Sequence, residues 1–197
     1  MNAWRIWITA SVLGLAGVGA LAQSDTIVTH DFEGTDHGWQ AMGATGRVTL
    51  TTAEGTYKSG KSALKFEYLV EPGEISALML PIGGTPPSGM KSLAFWVKSP
   101  APLPLVVILQ EREGGRYQAQ VRVPANRWQR VELALSDFEL GRETDDPRDP
   151  NNKLDIDQLE AVALADLSHM LVGALDPNLT DMLGIRTGAR VFYVDDI

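Results

Sequence analysis

Ser62-Ala-Leu-Lys-Phe-Glu-Tyr-Leu-Val70 alternates strictly: Leu64, Phe66 and Tyr68 fall on one side, Lys65 and Glu67 on the other. Period-2 alternation over this length specifies a half-buried β-strand, because successive side chains of an extended chain point to opposite faces. The residues just before it, Gly55-Thr-Tyr-Lys-Ser-Gly-Lys-Ser62, spell the phosphate-cradling pattern GxxxxGK[ST]. That chemistry requires a helix whose N-terminus faces the phosphates. Here the pattern leads straight into the alternating segment, which stops at Pro72-Gly73. The glycine-rich stretch is therefore a turn leading into a strand.

Working outward, the same alternation recurs between turn signals. Candidate strands are 27–32, 47–52, 76–80, 93–99, 105–112, 117–123, 128–135, 159–165 and 190–195. Glu113-Gly-Gly-Arg116 makes a hairpin of 105–112 and 117–123. The segment Ser136–Lys153 reads as too acidic and too proline-broken for the core, and a short helix is an alternative within Asp155–Met170, with one helical turn at Asp176–Leu183. Many short strands joined by Gly/Pro turns, without alternating helices, predict an all-β fold, an antiparallel β-sandwich or jelly roll.

The chain has 197 residues, the size of one domain at roughly 100–200 residues each. Its net charge of -8 disfavours a nucleic-acid partner, which needs clustered Lys and Arg. The absence of cysteine excludes disulfides, iron–sulfur ligation and thiol chemistry. His30, His37 and His169 lack metal-site spacing, and no GxSxG elbow supplies a serine nucleophile, so the chain reads as non-catalytic. An EF-hand register from Asp149 through Asn151, Asp157 and Glu160 fails at Lys153 and at Leu154, where glycine is required. At the N-terminus, Arg5 precedes an apolar run from Ile6 to Val18 that ends in Ala20-Leu21-Ala22. This is the signature of a cleaved signal peptide over residues 1–22, followed by a single domain over 23–197 with no membrane span after cleavage, in the periplasm or secreted.

Several segments, in order, resemble a galactose-binding-like β-sandwich, as in carbohydrate-binding modules, notably family 11, and the related domain of complex-I intermediate-associated proteins. They are HDFEGTDHGWQ (30–40), TYKSGKSALKFEY (56–68), SLAFWVKS (92–99), GRYQAQV (115–121), NRWQRVELALSDF (126–138) and RVFYVDDI (190–197). The resemblance implies a non-catalytic domain that binds a polysaccharide or oligosaccharide. The same fold also serves as an extracytoplasmic interaction or assembly domain whose partner is an envelope protein, since fold does not fix function. It further implies a structural Ca²⁺ where the first loop meets the closing strand, with Asp31, Glu33, Asp195 and Asp196 at the matching positions. Alternation allows only one of Asp195 and Asp196 to face a given point, and a pair of solvated acidic strand ends is the competing reading.

The binding face is read from the sides of the central strands that the core does not need. Leu93, Phe95 and Val97 leave Trp96 outward; Val121 and Val123 leave Gln118, Gln120 and Arg122; Val131 and Leu133 leave Trp128. Gln110 joins them from a strand apolar on both faces, and Tyr117 stands either at the rim or in the core. If these strands are neighbours, they form one surface with an aromatic plate for a sugar ring and amides and a guanidinium for its hydroxyls. The alternative is that loops cover Trp96 and Trp128 as a second small core. In the native host, mass spectrometry is expected to find a mature chain beginning at Gln23; an intact Met1 in a membrane fraction would contradict export.

Overall fold

The computed structural model describes residues 30–83, 89–142, 146–172, 174–182 and 185–197. Residues 1–22, read as a signal peptide, lie outside them.

Among the described residues eleven strands form in chain order: β1 (Gln40–Met42), β2 (Arg47–Thr51), β3 (Ala63–Val70), β4 (Ala77–Pro81), β5 (Ser92–Lys98), β6 (Leu103–Glu111), β7 (Arg116–Val123), β8 (Gln129–Ala134), β9 (Glu139–Leu140), β10 (Leu159–Asp166) and β11 (Gly188–Asp195). Two short helices, α1 (Ser168–Leu171) and α2 (Pro177–Met182), lie between β10 and β11. The strands make two antiparallel sheets, a six-stranded one ordered β1-β4-β10-β6-β7-β9 and a five-stranded one ordered β2-β3-β11-β5-β8. This is the antiparallel β-sandwich that the alternation predicts.

Each strand buries the face its sequence marks. From the five-stranded sheet come Leu64, Phe66, Tyr68, Phe95, Val97, Phe192 and Val194; from the six-stranded sheet come Leu78, Leu105, Val107, Leu109 and Leu164. Phe66 is the aromatic centre, with its ring centroid 5.0 Å from Tyr68 and 5.3 Å from Phe192. Such pairs add roughly 0.5–1.5 kcal/mol each beyond the area they bury.

Two expectations are corrected, and one open alternative is decided. Of the first candidate strand, residues 27–29 lie outside the described residues, and residues 30–32 are not in a strand. His30 instead exchanges two 3.0 Å backbone hydrogen bonds with Ile197, tying the two ends of the described chain together. The polar stretch 136–153 does reach the core, through Phe138, and buries Asp149, because a few anchoring side chains fix a loop whose average composition is hydrophilic. The candidate strand 159–165 is observed as β10, and of the helical alternative at 155–170 there remain the 3₁₀ turn Ile156–Gln158 and the single turn of α1. Two brief strands, β1 and β9, are too short to register as alternation.

Phe66→Ala is expected to cost about 3–5 kcal/mol, measured as a fall in the urea midpoint at unchanged m-value; a loss below about 1 kcal/mol would mean that the site collapses around the cavity.

Candidate functional site

β10 reads Leu-Glu-Ala-Val-Ala-Leu-Ala-Asp, apolar on both faces. Its larger residues Val162 and Leu164 go to the core, so Ala161, Ala163 and Ala165 point outward from the six-stranded sheet. Strand pairing extends this row sideways in two ladders. One runs Gln118–Ile108–Ala163–Met79–Gln40, the other Gln120–Val106–Ala165–Ala77–Met42. Neighbouring strands lie about 4.8 Å apart and alternate residues of one strand about 7 Å apart. The small alanines therefore form the low centre of the face, with longer side chains on both flanks. Val106, Ala77 and Ala165 make their own small apolar cluster there, with Ile108 and Leu167 packed against it. Ala77, Val106, Ala161 and Ala165 are buried in this face, and the shallow apolar trough that remains between the flanking amides is lined by half-buried Ala163, Ile108 and Met79.

The sequence-predicted binding residues fall into three groups. Gln110, Gln118, Gln120 and Arg122 share this outer face, as expected. Gln110 is engaged: its Nε2 donates to the carbonyls of Glu111 (3.0 Å) and Gly115 (3.4 Å), and its Oε1 accepts from Arg116 Nε at 3.3 Å. Gln120 and Arg122 are exposed and Gln118 is half-buried. Trp128 stands just before β8, around the sheet edge, yet it shares an open depression of about 490 Å³ with Arg122, Pro124, Arg127 and Gln129.

The third group is corrected. Trp96 lies on β5, and β5 pairs with β11 and β8 in the other sheet, so its outer face is on the far side of the sandwich from Gln118 and Gln120. Lys58 Nζ sits 4.3 Å from the Trp96 ring centroid, a cation–π contact that covers the ring. Tyr117 turns into the core, where its hydroxyl donates a short hydrogen bond to Asp149 Oδ2. Burial, chiefly, and this carboxylate push its hydroxyl far above the ordinary tyrosine range. The missed signal was Ala-x-Ala-x-Ala in β10, which places small side chains on the outer face with only Ala163 half-buried.

The four candidate metal ligands do come near one another, but they face backbone donors. Asp195 is fully buried on the outer side of β11; its Oδ2 accepts the N–H groups of Lys58 (2.7 Å) and Ser59 (3.1 Å), and its Oδ1 accepts that of Asp196 (3.0 Å). Glu33 Oε1 accepts Lys61 N–H (2.9 Å) and Ser62 N–H (3.0 Å). Asp196 Oδ1 accepts from Ser59 Oγ (2.9 Å), and Asp31 Oδ1 from Glu33 N–H (3.1 Å). Burial raises the Asp195 carboxyl above its ordinary range, while the Lys58 and Ser59 N–H groups pull it back. Among the described residues no three His, Asp or Glu side chains group closely enough to hold a metal ion. Ca²⁺ takes about 6–8 oxygens turned toward one point, and both Asp195 oxygens, Glu33 Oε1 and Asp31 Oδ1 are already turned toward backbone N–H groups. The residues form a clasp on the β2–β3 loop.

No protein-family model matches this chain, and no curated protein matches it. Solved structures do. The family 11 carbohydrate-binding module from Clostridium thermocellum, in complex with a β-1,3-1,4-mixed-linked tetrasaccharide, is similar over 85% of this chain and 90% of its own, with a TM-score of 0.62 at 16% identity. The family 11 module of the cellulosomal cellulase Lic26A-Cel5E of the same organism covers 86% and 91%, with a TM-score of 0.61 at 16% identity. A much larger agarase matches 87% of this chain with 24% of its own, with a TM-score of 0.56 at 8% identity. The chain thus has the β-sandwich fold of the family 11 modules.

Asp195→Ala strips acceptors from three backbone N–H groups, and at roughly 1.5–3 kcal/mol for a hydrogen bond to a charged group it is expected to lower stability by at least about 2 kcal/mol. The unaltered protein is expected to melt at the same temperature in chelator and in excess calcium; a marked rise with calcium would place an ion among these carboxylates.

Proposed function

We propose that this protein is a non-catalytic carbohydrate-binding domain that works outside the cytoplasm and lays a glycan chain along the outer face of its six-stranded sheet. The observation that carries the reading is the outer face itself: half-buried Ala163, Ile108 and Met79 beside Gln118, Gln120 and Arg122 in a row along β7. Sugar rings present C–H groups on their faces and hydroxyls at their rims. An apolar floor accepts the first, and side chains that donate and accept hydrogen bonds meet the second. The β7 row is spaced by about 7 Å per step, so three successive positions follow more than one ring. Its lower end reaches the depression containing Trp128, which supplies the aromatic surface that Trp96 cannot.

The rim of the trough supports binding rather than hydrolysis. Glu139, on the edge strand β9, stands opposite Gln118. Hydrolysis of a glycosidic bond calls for two carboxyl groups set roughly 5–10 Å apart across the scissile bond. The ladder that crosses the trough from Gln118, through Ile108, Ala163 and Met79 to Gln40, supplies no second carboxylate. The fold shared with the family 11 modules agrees with the reading, as does the N-terminal export signature.

Affinity electrophoresis against mixed-linked β-glucan, xylan, galactan and agarose is the direct test. Ala163→Phe fills the floor of the trough and is expected to weaken binding to the recognised glycan by tenfold or more, since about 1.4 kcal/mol suffices for that factor. Trp96→Ala, on the opposite sheet, is expected to leave affinity unchanged while circular dichroism shows an intact fold. The reverse pattern would move the site to the five-stranded sheet.

A further inference from the structure

After β7 the chain crosses from the six-stranded to the five-stranded sheet through residues 124–128. Asn126 turns the crossing with φ +61°, a left-handed conformation that asparagine tolerates better than most residues. Its N–H donates to Ser99 O at 2.7 Å, Ser99 and Ala125 form a parallel bridge, and Ser99 Oγ donates to Val191 O at 3.2 Å. The backbone here is fixed from two strands, so Arg127 and Trp128 project from a rigid support into the depression that Arg122 enters from β7.

The charge at this place opposes that of the molecule. The chain carries 25 acidic against 17 basic residues. Two arginines on the same pair of strands are neutralised: Arg116 pairs with Asp146 at 3.2 Å and Arg130 with Glu132 at 2.5 Å. Arg122 and Arg127 are both exposed, both border the same depression, and make neither ion pair nor side-chain hydrogen bond among the described residues. No acidic residue lines the depression among the described residues. A guanidinium is a planar fork that meets a carboxylate or sulfate through two parallel N–H bonds, whereas a neutral hydroxyl uses only one.

Resting on the carbohydrate reading, we infer that this depression selects glycans bearing carboxylate or sulfate groups: Arg122 and Arg127 grip the anionic substituent, and Trp128 covers the ring that carries it. The net negative charge of the rest of the surface repels a polyanion from other faces and so directs it to this one.

The experiment compares polygalacturonate and λ-carrageenan with mixed-linked β-glucan and agarose, by calorimetry at low and high salt, for the full domain and for Arg127→Gln. At least one acidic probe is expected to bind about tenfold more tightly than either neutral one, the factor that a single charged hydrogen bond supplies. That advantage should shrink at high salt, as exposed charge pairs are screened. Arg127→Gln should remove it, weakening the acidic probes far more than the neutral ones, with the melting temperature unchanged. Polygalacturonate alone would identify the substituent as carboxylate, carrageenan alone as sulfate. Equal binding of acidic and neutral probes, or an equal loss for both in Arg127→Gln, overturns the charge selection and leaves the trough reading standing. Binding of no glycan at all overturns the carbohydrate reading, and this inference with it.

Discussion

β10 is the strand on which both faces of the molecule depend. Among the described residues it alone joins the β1–β4 ribbon to the β6–β7–β9 set, through antiparallel ladders on both of its edges. Its core face supplies Leu159, Val162 and Leu164, and its outer face supplies three alanines. A larger residue at Ala163 would leave the core intact and close the trough, whereas a polar residue at Leu164 would unseat the sheet. The pleat thus sends large side chains of this central strand to one side and small ones to the other.

Without cysteine, the loops are fastened by carboxylates that accept backbone N–H groups. Asp195 and Glu33 hold residues 58–62, Glu111 accepts from Gly115 and Asp155, Asp149 accepts from Asn151 and Lys153, and Asp166 accepts from Ser168. Charge strengthens each such bond relative to a neutral one, and at the buried Asp195, Glu111 and Asp166 burial keeps water from competing. The device shapes the sequence around it. At Gly60, φ is +56° and a Cβ would run into the Glu33 carboxylate; at Gly114 a Cβ would meet the Glu111 carboxylate. The apparent phosphate-binding stretch owes its glycine to that contact: a carboxylate of the protein itself occupies the space beside the loop.

The strands and their buried faces are legible in the sequence because they are local properties. Leu64, Phe66 and Tyr68 on β3, or Phe95 and Val97 on β5, declare their side of the sheet within a few residues. Sheet membership is not local. Whether β5 lies beside β7 is decided by pairings with β11 and β8, strands that in the first case follow nearly a hundred residues later. Alternation therefore groups Trp96 with Gln118 and Gln120 although the sandwich lies between them. Tyr117 presents both options, and the buried acceptor at Asp149, more than thirty residues away, selects the core. The alanine row is readable in principle, yet alternating alanines resemble any apolar strand until large residues are known to occupy the other face.

The two outer faces differ in what they leave unsatisfied, and this difference assigns the surface for recognition. On the five-stranded sheet, Lys65 pairs with Glu67 at 2.7 Å, Arg130 with Glu132, Lys98 Nζ donates to Gly55 O at 2.7 Å, and the β2–β3 loop places Lys58 over Trp96. These polar groups already have partners within the chain, so a ligand would have to displace them before gaining anything. On the six-stranded sheet, Gln120 and Arg122 are exposed beside an apolar floor, and no partner among the described residues holds Arg122 or Arg127. Binding there exchanges water for ligand without first breaking a protein contact. Preorganised groups that lack internal partners convert more of each new contact into affinity, so the proposed glycan face is the one that presents Gln120 and Arg122 exposed.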